Sequence, residues 1–190
     1  MNLEIVAFVL SLACVIFNAK GHVLNWPLAI LSSLAYGWVF QEAKLFGDAA
    51  LQLVFVVLAM YGWMKWLKKS KTSTPTTHFS HIHRQSVIHM VIACVALFVM
   101  IRLALTQYTN SDVPNIDAFL TAASLVATYM SAHKWIENWL VWAFVDVIYI
   151  GLYIFKDLYL TALLYGLFVL LCVAGWRQWK KLMTIESPTP

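Results

Sequence analysis

The chain has 190 residues, 62% of them hydrophobic and 12% charged, with a mean hydropathy of +0.74, where a soluble domain carries about 25% charged residues. This composition excludes a soluble catalytic domain, and at about 20 residues per spanning helix the length holds seven spans and little else. The formal charge of +4 sits in the gaps between apolar runs, the pattern of membrane flanks rather than of a nucleic-acid-binding surface.

Met1-Asn2-Leu3-Glu4 places no positive charge ahead of the first apolar run, which therefore reads as a first span, 3–19, and not as a cleaved signal peptide. A second span, 23–41, begins near Asn25-Trp26-Pro27, where a proline in the first turn is tolerated. The third, 46–67, carries Asp48 and Gln52 four residues apart, hence on one face, and closes on Gly62-Trp63-x-x-Trp66. Lys68 to Ser86 is a Ser/Thr-rich stretch that reads as a flexible cytoplasmic linker. His78, His81 and His83 within it have no Cys or carboxylate beside them, so a solvated loop is favoured over a metal site.

The remaining spans are expected at 87–107, 116–133, 137–155 and 158–179. Cys14, Cys94 and Cys172 lie in three different apolar runs and read as small buried apolar residues, not as a disulfide or metal framework. The sixth span holds the sharpest feature of the chain. Trp142, Asp146, Tyr149 and Tyr153 follow at helical spacing and form one stripe. A carboxylate in the middle of a spanning helix costs about 3 kcal/mol unless it meets a partner or water, so Asp146 marks either a site or a structural hydrogen bond to a neighbouring helix. Trp142 lies deeper than Trp135 and Trp139 and offers a flat face for stacking.

Basic residues orient the chain. With the long gap inside, Lys20, Lys65, Lys68, Lys69, Lys71, Arg84, Lys134, Arg177, Lys180 and Lys181 fall on the cytoplasmic side. Only Lys44 and Lys156 fall outside, and Arg102 snorkels near the outer end of the fourth span. The N-terminus is expected outside and the C-terminus in the cytoplasm.

Sliding the chain against itself by 113 residues aligns Ser11 with Ser124, Asn25-Trp26 with Asn138-Trp139, Tyr36 with Tyr149, Gly62-Trp63 with Gly175-Trp176, Trp66 with Trp179 and Lys68 with Lys181. Chance matches in an apolar chain are scattered Leu and Ala, not paired tryptophans in one register. The expected fold is an all-α integral membrane protein of seven transmembrane helices, in which two parallel three-helix repeats, 1–69 and 111–182, flank a cytoplasmic loop and linker helix, 70–110. Residues 183–190 form a flexible tail. Such duplications place a substrate site between the repeats near mid-membrane. At the same shift Asp48 and Gln52 match Thr161 and Tyr165 in the seventh span, which puts polar groups at matching depth in both halves. Asn25, Trp26, Asn138 and Trp139 are expected as helix caps and an aromatic belt at the cytoplasmic boundary, with gating as the other reading.

Glu137-Asn138-Trp139-x-x-Trp142, Leu158-Tyr159-Leu160-Thr161-Ala162-x-Leu164-Tyr165 and Tyr61-Gly62-Trp63-x-x-Trp66, on a three-one-three layout, resemble the PnuC family of bacterial vitamin transporters over roughly Asn25 to Trp179. The resemblance implies a layout like that of the SWEET sugar carriers, in a bacterial inner membrane. It also implies facilitated diffusion of a non-phosphorylated vitamin that a cytoplasmic kinase then phosphorylates and traps. Nicotinamide riboside is the substrate it implies first, with thiamine, carried by the related PnuT branch, as the alternative. In the nicotinamide riboside branch the sixth helix carries Trp-x-x-x-Asn toward the ligand. Here those positions are Trp142 and Asp146, which keeps the site with a carboxylate in place of the amide.

The candidate substrate-binding set is thus Trp142, Asp146, Tyr149, Tyr153, Gln52, Asp48, Tyr165 and Thr161, with no catalytic, metal or cofactor group. The expected partners are a small-molecule vitamin, the lipid bilayer and the kinase, without nucleic acid; the sequence is compatible with a homo-oligomer. His89 and Ser124, the nearest candidates for an intramembrane enzyme, have no partner at suitable spacing. An inert scaffold would have no need of polar residues at mirrored depth. With no Lys or Arg at mid-membrane to pair a phosphate, the riboside is preferred to its mononucleotide.

Overall fold

The computed structural model describes residues 2–42, 46–69, 79–108, 113–155 and 159–186, all but a few of them in seven α-helices. These are α1 (Asn2–Ala19), α2 (Asn25–Glu42), α3 (Phe46–Lys69), α4 (Arg84–Tyr108), α5 (Pro114–Ala132), α6 (Asn138–Phe155) and α7 (Tyr159–Glu186). Each matches one of the seven apolar runs. The largest departure is at the end, where α7 continues to Glu186 through residues expected as tail. The physical reason is that Leu182 and Met183 still have the aromatic core to pack against.

Six helices form a ring. Neighbours follow in the order α1, α2, α3, α5, α6, α7 and back to α1, while α4 packs from outside against α5. Among the described residues α4 has none buried, yet it is the most apolar long helix. A helix that is hydrophobic all round and packed on one side only needs a lipid solvent on the other. The ring's outer surface repeats the point: Val57 is 65% exposed and Leu170, 113 residues on, is 66% exposed. In water such a belt would be an aggregation surface; in a bilayer it is the lipid face.

The interior is held by contacts that recur at the same spacing. A Cβ added to Gly62 would overlap the ring of Trp26, and one added to Gly175 would lie 2.5 Å from the ring of Trp139. The Asn-Trp and Gly-Trp-x-x-Trp motifs are therefore two sides of one contact in each half. Trp26 meets Trp66 edge-on at 5.5 Å and 82°, and Trp139 meets Trp179 at 5.4 Å and 80°. Trp66 and Trp179 approach each other at 6.4 Å. Asn18 joins the halves: its Oδ1 accepts from Asn25 Nδ2 at 2.8 Å and from Ser131 Oγ, 113 residues on, at 3.2 Å, and its carbonyl accepts from Trp179 Nε1 at 2.9 Å. Trp66 Nε1 donates to the carbonyl of Ala132 at 3.2 Å. α1 and α5 also end alike. Gly21 (φ 67°) and Lys134 (φ 59°), again 113 apart, both adopt the left-handed conformation that closes a helix.

Two expectations are corrected here. Trp26 and Trp139, each 2% exposed, are core residues at one end of the ring rather than a lipid-facing belt, because the glycines opposite them leave slots for indoles. Asn25 and Asn138 do not spend their amides on capping: Asn25 reaches Asn18, and Asn138 Nδ2 donates to the carbonyl of Trp135 at 2.7 Å. The linker is corrected too. Among its described residues Phe79 is buried and Ser80 pairs with the turn between α5 and α6, because an aromatic side chain has a place in the core that a Ser/Thr-rich segment as a whole lacks.

Candidate functional site

Asp146 and Tyr149 of the α6 stripe face α7. Asp146 is 5% exposed, and its Oδ2 accepts from the thiol of Cys172 on α7 at 3.8 Å. A thiol is a weak donor, so most of the carboxylate's hydrogen-bonding capacity is left for another partner. The cysteine was legible only as a small apolar residue, since sequence shows its helix but not what it faces. One turn before Asp146, Trp142 is partly buried against the aromatic core. One turn after it, Tyr149 packs on Tyr165 of α7, ring centroids 4.9 Å apart at 47°, and Phe168 closes on Tyr165 edge-on at 5.6 Å. The α6–α7 seam thus sets a carboxylate between an indole and a pair of phenols. The chemistry of these groups suits a flat, cationic ring: aromatic faces attract a cation by about 0.5–2 kcal/mol, and a carboxylate in a low-dielectric seam adds a directed charge.

The structure brings Trp142, Asp146, Tyr149 and Tyr165 to this seam and puts Gln52 elsewhere, at a cleft of 370 Å³ between α2 and α3 lined by Ser33, Gly37, Trp38, Gln41, Gln52 and Leu53. Shifted by 113, Ser33 is Asp146 and Gln52 is Tyr165. The two places occupy the same register of the two halves, polar and small in the first, acidic and aromatic in the second. A smaller cleft of 170 Å³ lies along α6 and α7 beside Trp139, Cys172 and Trp176. Both clefts therefore lie within a half rather than between the halves. The side chains of Asp48, Tyr153 and Thr161 lie outside the described residues, as does His78.

Asn25, Trp26, Asn138 and Trp139 gather at one end of the ring. There the Oδ1 atoms of both asparagines and the indole N–H groups of both tryptophans are buried without a hydrogen bond in the chain. Unpaired buried polar atoms cost about 1–3 kcal/mol each, and here they occur in register in both halves. Lys134, 3% exposed, lies at this same end with its Nζ 4.6 Å from the Trp66 ring centre. Among the described residues it is the one buried lysine or arginine, and it is remote from the middle of the spans.

The sequence of the family described as Nicotinamide mononucleotide transporter matches residues 1–181. The chain belongs to this family. Among its relatives, the nicotinamide riboside transporter PnuC of Escherichia coli (strain K12) is 19% identical, over 93% of this chain and 84% of that protein. The nicotinamide riboside transporter PnuC of Neisseria mucosa is 24% identical, over 96% of this chain and 73% of that protein. The riboflavin/roseoflavin transporter RibM of Streptomyces davaonensis is 25% identical, over 93% and 83%. A crystal structure of the vitamin B3 transporter PnuC superposes with a TM-score of 0.78 at 24% identity, covering 97% of this chain and 83% of that one. At that identity the superposition establishes the fold: an all-helical, seven-helix membrane protein of the PnuC kind. The relatives are transporters, and the motifs that suggested the family, Glu137-Asn138-Trp139 and Gly62-Trp63-x-x-Trp66, are those that build its core here.

Proposed function

We propose that this chain takes up a non-phosphorylated vitamin, nicotinamide riboside, across a bacterial inner membrane by facilitated diffusion, with a cytoplasmic kinase trapping the product. The observation that carries the substrate is the buried Asp146 between Trp142 and the Tyr149–Tyr165 pair, a setting suited to the pyridinium of the riboside. Names of relatives point the same way. The mononucleotide of the family's description fits less well, since its phosphate would need a cation beside Asp146, whereas Arg177 at the smaller α6–α7 cleft and the buried Lys134 both sit toward the ring's inner end. Tyr153, Thr161, Asp48 and Gln52 complete the proposed path, Asp48 and Gln52 from the first half.

The halves 1–69 and 111–182 are read as parallel three-helix repeats around the connecting segment 70–110, in the layout of the SWEET carriers. The recurring Trp–Trp, Gly–Trp and helix-end contacts at a spacing of 113 support that reading. The N-terminus is read as outside and the C-terminus as inside, a reading that the distribution of Lys and Arg supports. Asn25, Trp26, Asn138 and Trp139 then line the inner end of the path, where their unpaired polar atoms can serve a polar passenger in transit.

Riboflavin is the second reading, favoured by one observation: RibM is as similar to this chain as the riboside transporters are. Thiamine, also a cation, is the third. Counterflow in proteoliposomes loaded in turn with nicotinamide riboside, nicotinamide mononucleotide, thiamine and riboflavin separates them. Exchange of the riboside alone supports the proposal, and exchange of riboflavin but not the riboside replaces it.

A further inference from the structure

The inner end of the ring is sealed by aromatic residues, and one of them does not belong to a helix. Phe79, 5% exposed, enters the core from the connection ahead of α4. Its ring lies 4.3 Å from that of Trp179 and 6.4 Å from that of Trp66. Room for it comes from Gly21, where a Cβ would stand 2.7 Å from Phe79 Cζ. The matching position in the second half is Lys134, whose ammonium lies over the Trp66 ring and within 5.8 Å of the Phe79 ring centre. The seal is thus asymmetric at the one place where the halves otherwise repeat: a glycine slot filled by Phe79 on one side, a lysine on the other.

What holds Phe79 there is short. Ser80 N donates to the carbonyl of Lys134 and Ile136 N donates to the carbonyl of Ser80, both at 3.1 Å. Glu137 takes the next two residues, accepting from His81 Nδ1 at 2.7 Å and from Ile82 N at 3.0 Å. Withdrawing Trp26, Trp66, Trp139 or Trp179 would require shifting a spanning helix, whereas withdrawing Phe79 breaks these four hydrogen bonds and no helical one. Local opening follows the element with the fewest bonds to lose.

We propose that Phe79 is the cytoplasmic gate of the transport path, and that Ser80 to Ile82, latched on Glu137 and the α5–α6 turn, sets how often it opens. This rests on the reading of the chain as a carrier with its α3–α4 connection in the cytoplasm. When Phe79 leaves its slot, water and passenger reach the underside of the α6–α7 seam, where Cys172 meets Asp146.

Cys172 is the probe. In a Cys14→Ala/Cys94→Ala background, inside-out vesicles are treated with a charged, membrane-impermeant thiol reagent and the labelling rate of Cys172 is followed, with denatured protein giving complete reaction. Phe79→Ala should raise the rate by roughly tenfold or more, and Glu137→Ala, which removes the latch but leaves the ring, by a few-fold. A Phe79→Ala rate within twofold of the parent overturns the proposal. Should that variant not fold, an unchanged rate in Glu137→Ala does the same. The readout needs no vitamin, so a chain that carries none of the vitamins yet labels faster in both variants loses its proposed substrate and keeps its gate, and one that carries the riboside but labels unchanged loses the gate alone.

Discussion

Replacing Gly175 by alanine tests whether the tryptophan slots hold the bundle together. The added Cβ would lie 2.5 Å from Trp139 Cζ2 and 2.6 Å from two further atoms of the same ring, about 1 Å inside ordinary carbon–carbon contact. Trp139 has little room to yield, being 2% exposed and edge-on to Trp179 at 5.4 Å. Overpacking of this kind costs about 1–3 kcal/mol, while the glycine-to-alanine change by itself returns up to about 1 kcal/mol of helix propensity. The net loss should be about 1–2 kcal/mol. Gly166 on the same helix is the control, since a Cβ there meets nothing within 4 Å and only the propensity gain remains. Thermal unfolding of the detergent-purified protein, followed by size-exclusion chromatography, should show Gly175→Ala less stable than the parent and Gly166→Ala equal or more stable. If the two variants behave alike, the slot argument is wrong, and with it the physical meaning given to the Gly-Trp-x-x-Trp motif.

Trp142→Ala should weaken substrate binding by about 1–3 kcal/mol, on the scale of stacking a ring on an aromatic side chain, with expression close to that of the parent; undiminished affinity would make Trp142 packing only. Asn18→Ala strips a buried acceptor from Asn25 and Ser131, so unfolding should become easier by about 1–3 kcal/mol, and a double-mutant cycle with Ser131→Ala should show coupling. A cysteine at Lys181, near the end of α7, should react with impermeant reagent only in inside-out vesicles, and one at Tyr108, at the far end of α4, only in intact spheroplasts; the reverse pattern would invert the orientation.

The seven helices were readable because apolar run length is what the bilayer selects, and each run became one helix within a few residues. The 113-residue register was readable because tryptophans are too rare to pair by chance. What sequence did not carry was which neighbour a side chain meets. Trp26 and Trp139 look like belt residues by position, since an indole suits an interface and a core equally, and only the Gly62 and Gly175 slots decide between them. Asp146 announced itself by its cost in an apolar helix, but its contact Cys172 gave no sign beyond being small. Phe79 was hidden in a polar stretch with no periodicity. The signal for it was indirect: it is the one large aromatic between Trp66 and His89, in a segment otherwise content with water. Asn18 and Ser131 gave no sign in the sequence, because they correspond across the 113-residue register without being identical.

The central claim is that Asp146 reads the charge of a flat vitamin ring, and titration calorimetry on the purified parent and Asp146→Asn measures it most directly. The ligands are nicotinamide riboside and its reduced, uncharged dihydro form, which differ little in shape. In a low-dielectric seam the parent should bind the cation at least about tenfold more tightly than the neutral form, and Asp146→Asn should remove most of that preference while the fold stands. Equal affinity of the parent for both ligands would contradict the claim, and Asp146 would then be a structural carboxylate bridging α6 to Cys172 on α7.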